Sequence, residues 1–295
     1  MAADQNLINL LMGLDGDDRG RDKILKAPFG YPGGKSRCVK HILPRLPQTD
    51  RYVEAFGGAG SVLLSRRSSK LEVLNDRYSG VTDFYKVLRD PMLYREMVKW
   101  LDLTCHSREE FVNCKATWEN CRDPVERAAR WYYMIRTSFG ALGRNFGRAT
   151  SPKAKFAGAA QVNLKYFPEL HKRLFNVTIE NQDWEQCLVD YDHKDTVFYL
   201  DPPYLGVNSG TYKYELTDDR HHRLADQIFK LKGFVALSGY PGTMYDDLDW
   251  DETYEWEVAT SIASVKGAPA TAGGVGNGKG DDVRLPATEC LWIKR

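Results

Sequence analysis

The 295 residues include 42% hydrophobic and 12% aromatic side chains, enough apolar mass for a substantial core, which excludes wholesale disorder. The formal net charge is only +1, yet residues 122–175 hold eleven basic against three acidic side chains, and residues 183–257 hold six against seventeen. The six cysteines form no CxxC pair and read as free thiols of a reducing cytoplasm rather than as metal ligands; no apolar run approaches the roughly 20 residues that cross a bilayer.

In chain order, residues 1–25 read as a loosely attached arm. The turn Phe29-Gly30-Tyr31-Pro32-Gly33-Gly34-Lys35 follows, in which tight glycines present a lysine. It lacks the spacing of a Walker A loop, and on its residues alone it fits an anion-binding turn and an ordinary turn equally well. A β-rich run at 51–55 leads through Phe56-Gly57-Gly58-Ala59-Gly60 into a predicted helix at 61–67. A second apolar run, 71–75, ends on Asp76. Helices are predicted at 81–88 and 93–101, separated by Pro91. Another starts after Asp123, an N-cap acceptor followed by proline at the first helical position. Further β-rich runs occupy 176–180, 196–200, 234–238 and 290–294. Thr217 with Asp218 and Asp219 opens a helix that carries Leu224, Ile228 and Leu231 on one face.

Several of the β-rich runs are almost continuously apolar, as expected of strands covered on both faces. Their alternation with helices predicts an α/β fold with a doubly wound, mostly parallel sheet. Two regions break the rhythm. Residues 90–170 are helical, basic and aromatic, and read as an insertion between 26–89 and 171–295. Residues 266–282 carry six glycines and read as a mobile loop.

The sharpest chemical signal is Asp201-Pro202-Pro203-Tyr204, at the end of the apolar run 196–200. The prolines lack N–H groups and fix φ, so the corner is rigid. A carboxylate and a proline carbonyl held together at a strand end make a double acceptor for an exocyclic NH₂, and Tyr204 offers a face for a planar base. A loop that merely stops the strand is the plainer alternative. The glycine cluster Phe56–Gly60 permits close backbone approach to a ligand, although it does not match GxGxxG. Asp76, after the second strand, is placed to accept hydrogen bonds from ribose hydroxyls, or else only to make a turn.

Together the segments at Tyr31–Lys35, Phe56–Gly60, Asp76 and Asp201–Tyr204 resemble the Dam-type, D12 class of N6-adenine-specific DNA methyltransferases in α-group motif order. The resemblance covers about residues 27–295. It implies a Rossmann-like methyltransferase fold with a helical target-recognition insertion at 90–170. It also implies S-adenosyl-L-methionine held by Tyr31, Lys35, Glu54, Phe56, Gly57, Gly58, Gly60, Asp76 and Asp201, and duplex DNA as partner. Asp201, Pro202 and Tyr204 would then be catalytic, acting on N6 of a flipped adenine. Residues 137–148 look like the family's F-N-G-x-x-R-x-N stretch, with Gly140 in place of Asn and with Arg144 and Asn145 adjacent. Ala55 replaces a common proline. Arg136, Arg144, Asn145, Arg148, Lys153 and Lys155 are the expected DNA contacts, since Arg and Lys neutralise phosphates while Arg and Asn also grip base edges. A solvated basic face is the bland reading of the same residues. A cytosine-N4 methyltransferase, with the same double acceptor, and a DNA-binding relative without catalysis remain as alternatives. A bacterial or phage enzyme working in the cytoplasm is expected.

Overall fold

In the computed structural model, which describes residues 24–148, 158–161, 163–205, 213–259 and 286–295, seven strands form one sheet. They are β1 (Arg51–Glu54), β2 (Leu71–Asn75), β3 (Val177–Glu180), β4 (Thr196–Leu200), β5 (Phe234–Gly239), β6 (Glu252–Ala259) and β7 (Pro286–Lys294). The order is β3-β2-β1-β4-β5-β7-β6, and β7 alone runs against its neighbours. The chain steps outward from β1 to β2 and β3, then returns to β4 on the other side of β1. The connections leaving β1 and β4 therefore diverge, which opens a crevice at the carboxyl ends of the strands.

Among the described residues the helices are α1 (Val39–Ile42), α2 (Ser61–Ser65), α3 (Ser79–Arg89), α4 (Leu93–Leu103), α5 (Arg108–Thr117), α6 (Pro124–Thr137), α7 (Phe167–Leu174), α8 (Trp184–Tyr191) and α9 (Asp218–Ile228). Asp123 caps α6 by accepting the Glu126 N–H at 2.7 Å, and Thr217 caps α9 through the Arg220 N–H. One sheet face packs Val53, Val73, Phe198 and Leu237 against Trp184, Leu188, Leu224 and Ile228 of α8 and α9. The other packs Tyr52, Leu74, Val177 and Tyr199 beneath α3, α6 and α7.

That second core runs without a break into residues 90–170. Tyr132 of α6 stacks on Phe84 of α3, ring centroids 4.9 Å apart, and Trp131 meets Phe29 edge-on at 5.0 Å. A Cβ on Gly80 would lie 2.1 Å from the Trp131 indole nitrogen, so only glycine lets α3 and α6 approach this closely. Beneath them, the buried Arg173 guanidinium pairs with Glu72 and donates to the Leu63 carbonyl at 2.7 Å.

Two corrections to the sequence reading concern the far edge. Strand β6 was not expected, and β7 begins four residues before 290. The segment at 252–259 alternates half-buried Tyr254, buried Trp256 and half-buried Val258 with exposed Glu255 and Glu257, the pattern of a strand with one solvated face. Its acids merge with the surrounding acidic run and hide that period. Residues 1–23, 206–212 and the glycine-rich stretch 266–282 lie outside the described residues.

Candidate active site

The ends of β1, β2, β3 and β4 enclose a cavity of about 210 Å³. Tyr31, Lys35, Glu54, Phe56, Gly57, Gly58, Asp76 and Asp201 all line it, so residues spread over 170 positions of chain meet as the motifs require. Gly60, Pro202 and Tyr204 do not. Gly60 shapes the turn, with φ +61°, and Pro202 and Tyr204 are buried in the corner that adjoins Asp201.

The lysine turn is built locally. Pro32 and Gly33, the latter at φ +72°, occupy the central positions of a turn closed by the Gly34 N–H donating to the Tyr31 carbonyl at 2.9 Å. The turn lays the Tyr31 ring on Gly58, where a Cβ would come within 2.9 Å of it. It also aims Lys35 inward. The ammonium donates to the Gly33 carbonyl at 2.7 Å, pairs with Asp201 Oδ1 at 2.8 Å and lies 4.7 Å from the centre of the Tyr204 ring. Burial pushes the Asp201 carboxyl above its ordinary range, and Lys35 opposes that rise.

The glycine loop is held from the next strand. Gly57 donates to the Asn75 carbonyl at 2.7 Å, and a Cβ there would strike Leu74 at 2.4 Å. Asp76 Oδ2 accepts the Gly58 N–H and Oδ1 accepts the Tyr78 N–H, each at 2.7 Å. The acid thus shapes the loop while facing the cavity. Burial raises its carboxyl to about 6, against the pull of those two N–H groups. Glu54, at the end of β1, accepts the Tyr52 hydroxyl at 2.8 Å, and burial raises it to about 8. Its acid form therefore predominates at neutral pH.

Sequence reading missed Gln182, Asp183 and Trp184, which continue the wall beyond β3, and Arg220, which pairs with Asp183. Asp183 caps α8 through the Glu185 N–H, and the Trp184 ring lies 6.1 Å from Phe56. The available signal was positional: Asp183 follows β3 much as Asp76 follows β2. Glu289 was also missed. It accepts the Tyr204 hydroxyl at 2.8 Å, and its one local mark, an acid in phase with Leu291 and Ile293, stands just ahead of the run read at 290–294.

The basic segment forms a small hairpin after α6. Ser138 bridges Phe146, Phe139 donates to the Asn145 carbonyl at 2.8 Å, and Gly147 donates to the Thr137 carbonyl at 2.7 Å. Arg144, Asn145, Arg148 and Phe139 are exposed on it. Arg136 is half-buried and donates to the Ala159 carbonyl at 3.0 Å. Lys153 and Lys155 lie outside the described residues.

A parallel sheet with one reversed strand slotted beside its last member, and a ligand-sized crevice at its switch point, is the architecture of Rossmann-like methyltransferases. Comparison with known proteins narrows that class. The profile of the D12 class N6 adenine-specific DNA methyltransferases matches residues 31–268, and the chain belongs to this family. It is 28% identical to the Type II methyltransferase M1.LlaDCHI of Lactococcus lactis subsp. cremoris, over 77% of this chain and 86% of that one. It is 24% identical to a DNA adenine methylase of Salmonella typhimurium, over 88% and 94%. Against a DNA adenine methylase of Vibrio cholerae the figures are 26%, 63% and 68%. The chain is accordingly a site-specific DNA methyltransferase acting on adenine.

Proposed function

We propose that the chain moves the methyl group of S-adenosyl-L-methionine to N6 of an adenine extruded from duplex DNA, in the cytoplasm of a bacterial cell. The observation that carries this reading is that Asp201, fixed by Lys35 at 2.8 Å, opens on the same cavity as the Gly57–Gly58 turn and Asp76. The cavity suits that methyl donor. Asp76 offers acceptors for ribose hydroxyls, Phe56 and Trp184 offer ring surfaces for a purine, and Asp76, Asp183, Asp201 and Glu215 outnumber the bases Lys35, Arg77 and Arg220 around a cationic ligand. Tyr31, Lys35 and the glycine turn complete the cradle, with Gly60 shaping it.

S-adenosyl-L-methionine supplies an electrophilic methyl group on a sulfonium. The chain's own task is to make adenine N6 nucleophilic, since the lone pair of that nitrogen is delocalised into the ring. The Asp201 carboxylate and the Pro202 carbonyl accept its two hydrogens, which favours a pyramidal nitrogen. Lys35 pairs with Asp201 Oδ1 at 2.8 Å and, with the Tyr204 hydroxyl, holds the carboxylate in place at the cavity wall. As the N–C bond forms and the S–C bond breaks, one N6 proton is lost. A carboxylate whose pKa burial has raised is well suited to take it. Tyr204 stacks on the extruded base, offsetting the few kcal/mol that unstacking costs. Residues 90–170 read the target, with Arg144, Asn145 and Arg148 on the hairpin and Lys153 and Lys155 beyond it making DNA contacts.

Labelled methyl transfer to DNA from a methylation-free host, followed by digestion to nucleosides, tests this reading. N6-methyladenine is expected, and N4-methylcytosine would redirect the substrate. Asp201→Ala is expected to cost a factor of about 10²–10³ or more in rate with folding intact; near wild-type turnover would remove the mechanism.

A further inference from the structure

Glu289 lies on β7, beyond the residues 31–268 that the family profile matches. Strand alternation puts it on the same face as Leu291 and Ile293, which pack in the core with Tyr199 and Ala236, while Cys290 and Trp292 point the other way. The strand periodicity therefore calls for an apolar residue at 289, and exchanging a buried charge for apolar bulk is often neutral or stabilising. Instead a carboxylate stands there, 7% exposed.

Its surroundings are those of the catalytic corner. Glu289 Oε2 accepts the Tyr204 hydroxyl at 2.8 Å. Tyr240, just past β5, meets the Tyr204 ring edge-on at 4.7 Å. Lys35 and Asp201 lie within electrostatic reach: burial and the Asp201 charge raise the Glu289 carboxyl, and Lys35 and the Tyr204 hydroxyl draw it down. A tyrosine ring turns on two side-chain torsions, so a bond at its far end is what fixes both. Fixing the ring also fixes the surface over which Lys35 sits, 4.7 Å away.

We propose that Glu289 is a positioning residue for methyl transfer, anchoring the Tyr204 hydroxyl so that the ring and the Asp201–Pro202 corner keep a single orientation toward the extruded base. The inference rests on the reading above, in which Tyr204 meets that base.

Single-turnover transfer of labelled methyl from S-adenosyl-L-methionine to methylation-free genomic DNA, by the full chain, provides the test. Glu289→Ala is expected to slow transfer about ten- to a hundredfold, the worth of a hydrogen bond to a charged group, with cofactor Kd held within about twofold. Glu289→Gln keeps an oxygen acceptor and should recover most of that loss. Tyr204→Phe should cost at least as much as Glu289→Ala, because the same hydroxyl also hydrogen-bonds Asp201. The Glu289→Ala/Tyr204→Phe double variant should be no slower than the slower single one, because Glu289 acts only through the Tyr204 hydroxyl. Transfer within about twofold of wild type in Glu289→Ala or Tyr204→Phe, or losses that multiply in the double variant, would overturn the proposal. Should Glu289→Ala not fold, Tyr204→Phe and Glu289→Gln carry the same comparison, since each alters a single polar group. A wild-type chain that transfers no label to adenine would instead sink the underlying reading, before any variant is made.

Discussion

Asp76→Asn perturbs the cofactor wall with almost no change of shape. Each carboxylate oxygen of Asp76 accepts one backbone N–H at 2.7 Å, from Gly58 and from Tyr78, which leaves one lone pair on each oxygen for a ligand. The substitution turns one oxygen into an NH₂ group. Whichever way the amide settles, one buried N–H loses its acceptor, at about 1–3 kcal/mol, and one acceptor toward the cavity becomes a donor. If about 1.5–3 kcal/mol of this falls on binding, S-adenosyl-L-methionine should bind about ten- to a hundredfold more weakly, with DNA affinity little changed.

The pH dependence sharpens the same test. The Asp76 carboxyl is raised from 3.8 to about 6 in the folded chain. A shift of about two units corresponds to roughly 3 kcal/mol. Because the folded value is the higher one, this stability is present below 3.8 and is lost as pH rises through about 6. Ribose hydroxyls donate to the ionised form, so wild-type cofactor affinity should climb across about pH 5–7, whereas Asp76→Asn should stay flat. Titration calorimetry in two buffers of different ionisation heat reads both affinity and proton release. A Kd unchanged within about twofold, or a wild-type affinity flat across that range, would refute the role given to Asp76.

Lys35→Met should raise the Asp201 carboxyl further, because it removes the charge that opposes burial. Transfer needs the carboxylate, so the acid limb of the single-turnover pH profile is expected at higher pH, and an unmoved limb would contradict the pairing. Arg144→Ala and Arg148→Ala should each weaken DNA binding and reduce the slope of log K against log salt by about one, if they contact phosphates; an unchanged slope argues against that contact. Ala141 holds a left-handed φ of 57°, at the position of the glycine in the family's F-N-G stretch. Ala141→Gly should therefore stabilise the hairpin by about 1 kcal/mol and raise the thermal midpoint by about two degrees, and a lower midpoint would show that lost packing outweighs relieved strain.

The contiguous motifs were readable in advance because each answers a local backbone demand. Two prolines stiffen the corner after Asp201, Gly58 and Gly60 adopt positive φ, and Pro32-Gly33 makes the turn that aims Lys35. The parallel strands were readable as well, since burial on both faces leaves an almost unbroken apolar run, and the helix starts at Asp123 and Thr217 follow from capping chemistry. The edge strand β6 was not, because its Glu255 and Glu257 alternate with Tyr254 and Trp256 inside an acidic stretch whose charge outweighed its period.

Other features depend on which segments meet. The pairing of Lys35 with Asp201 comes from a turn before β1 folding across the end of β4. Asp183 and Trp184 join the wall because β3 lies beside β2, and Glu289 reaches Tyr204 because β7 pairs with β5 in one register. A single chain order permits many such encounters, and a carboxylate at 183 or 289 looks like any other acid until sheet pairing removes its water and supplies its partner. Sequence by itself thus determined the corner, the loops and the fold class, through constraints acting over a few residues. Tertiary structure decided which charges are buried together, because desolvation and pairing exist only once distant strands are in register.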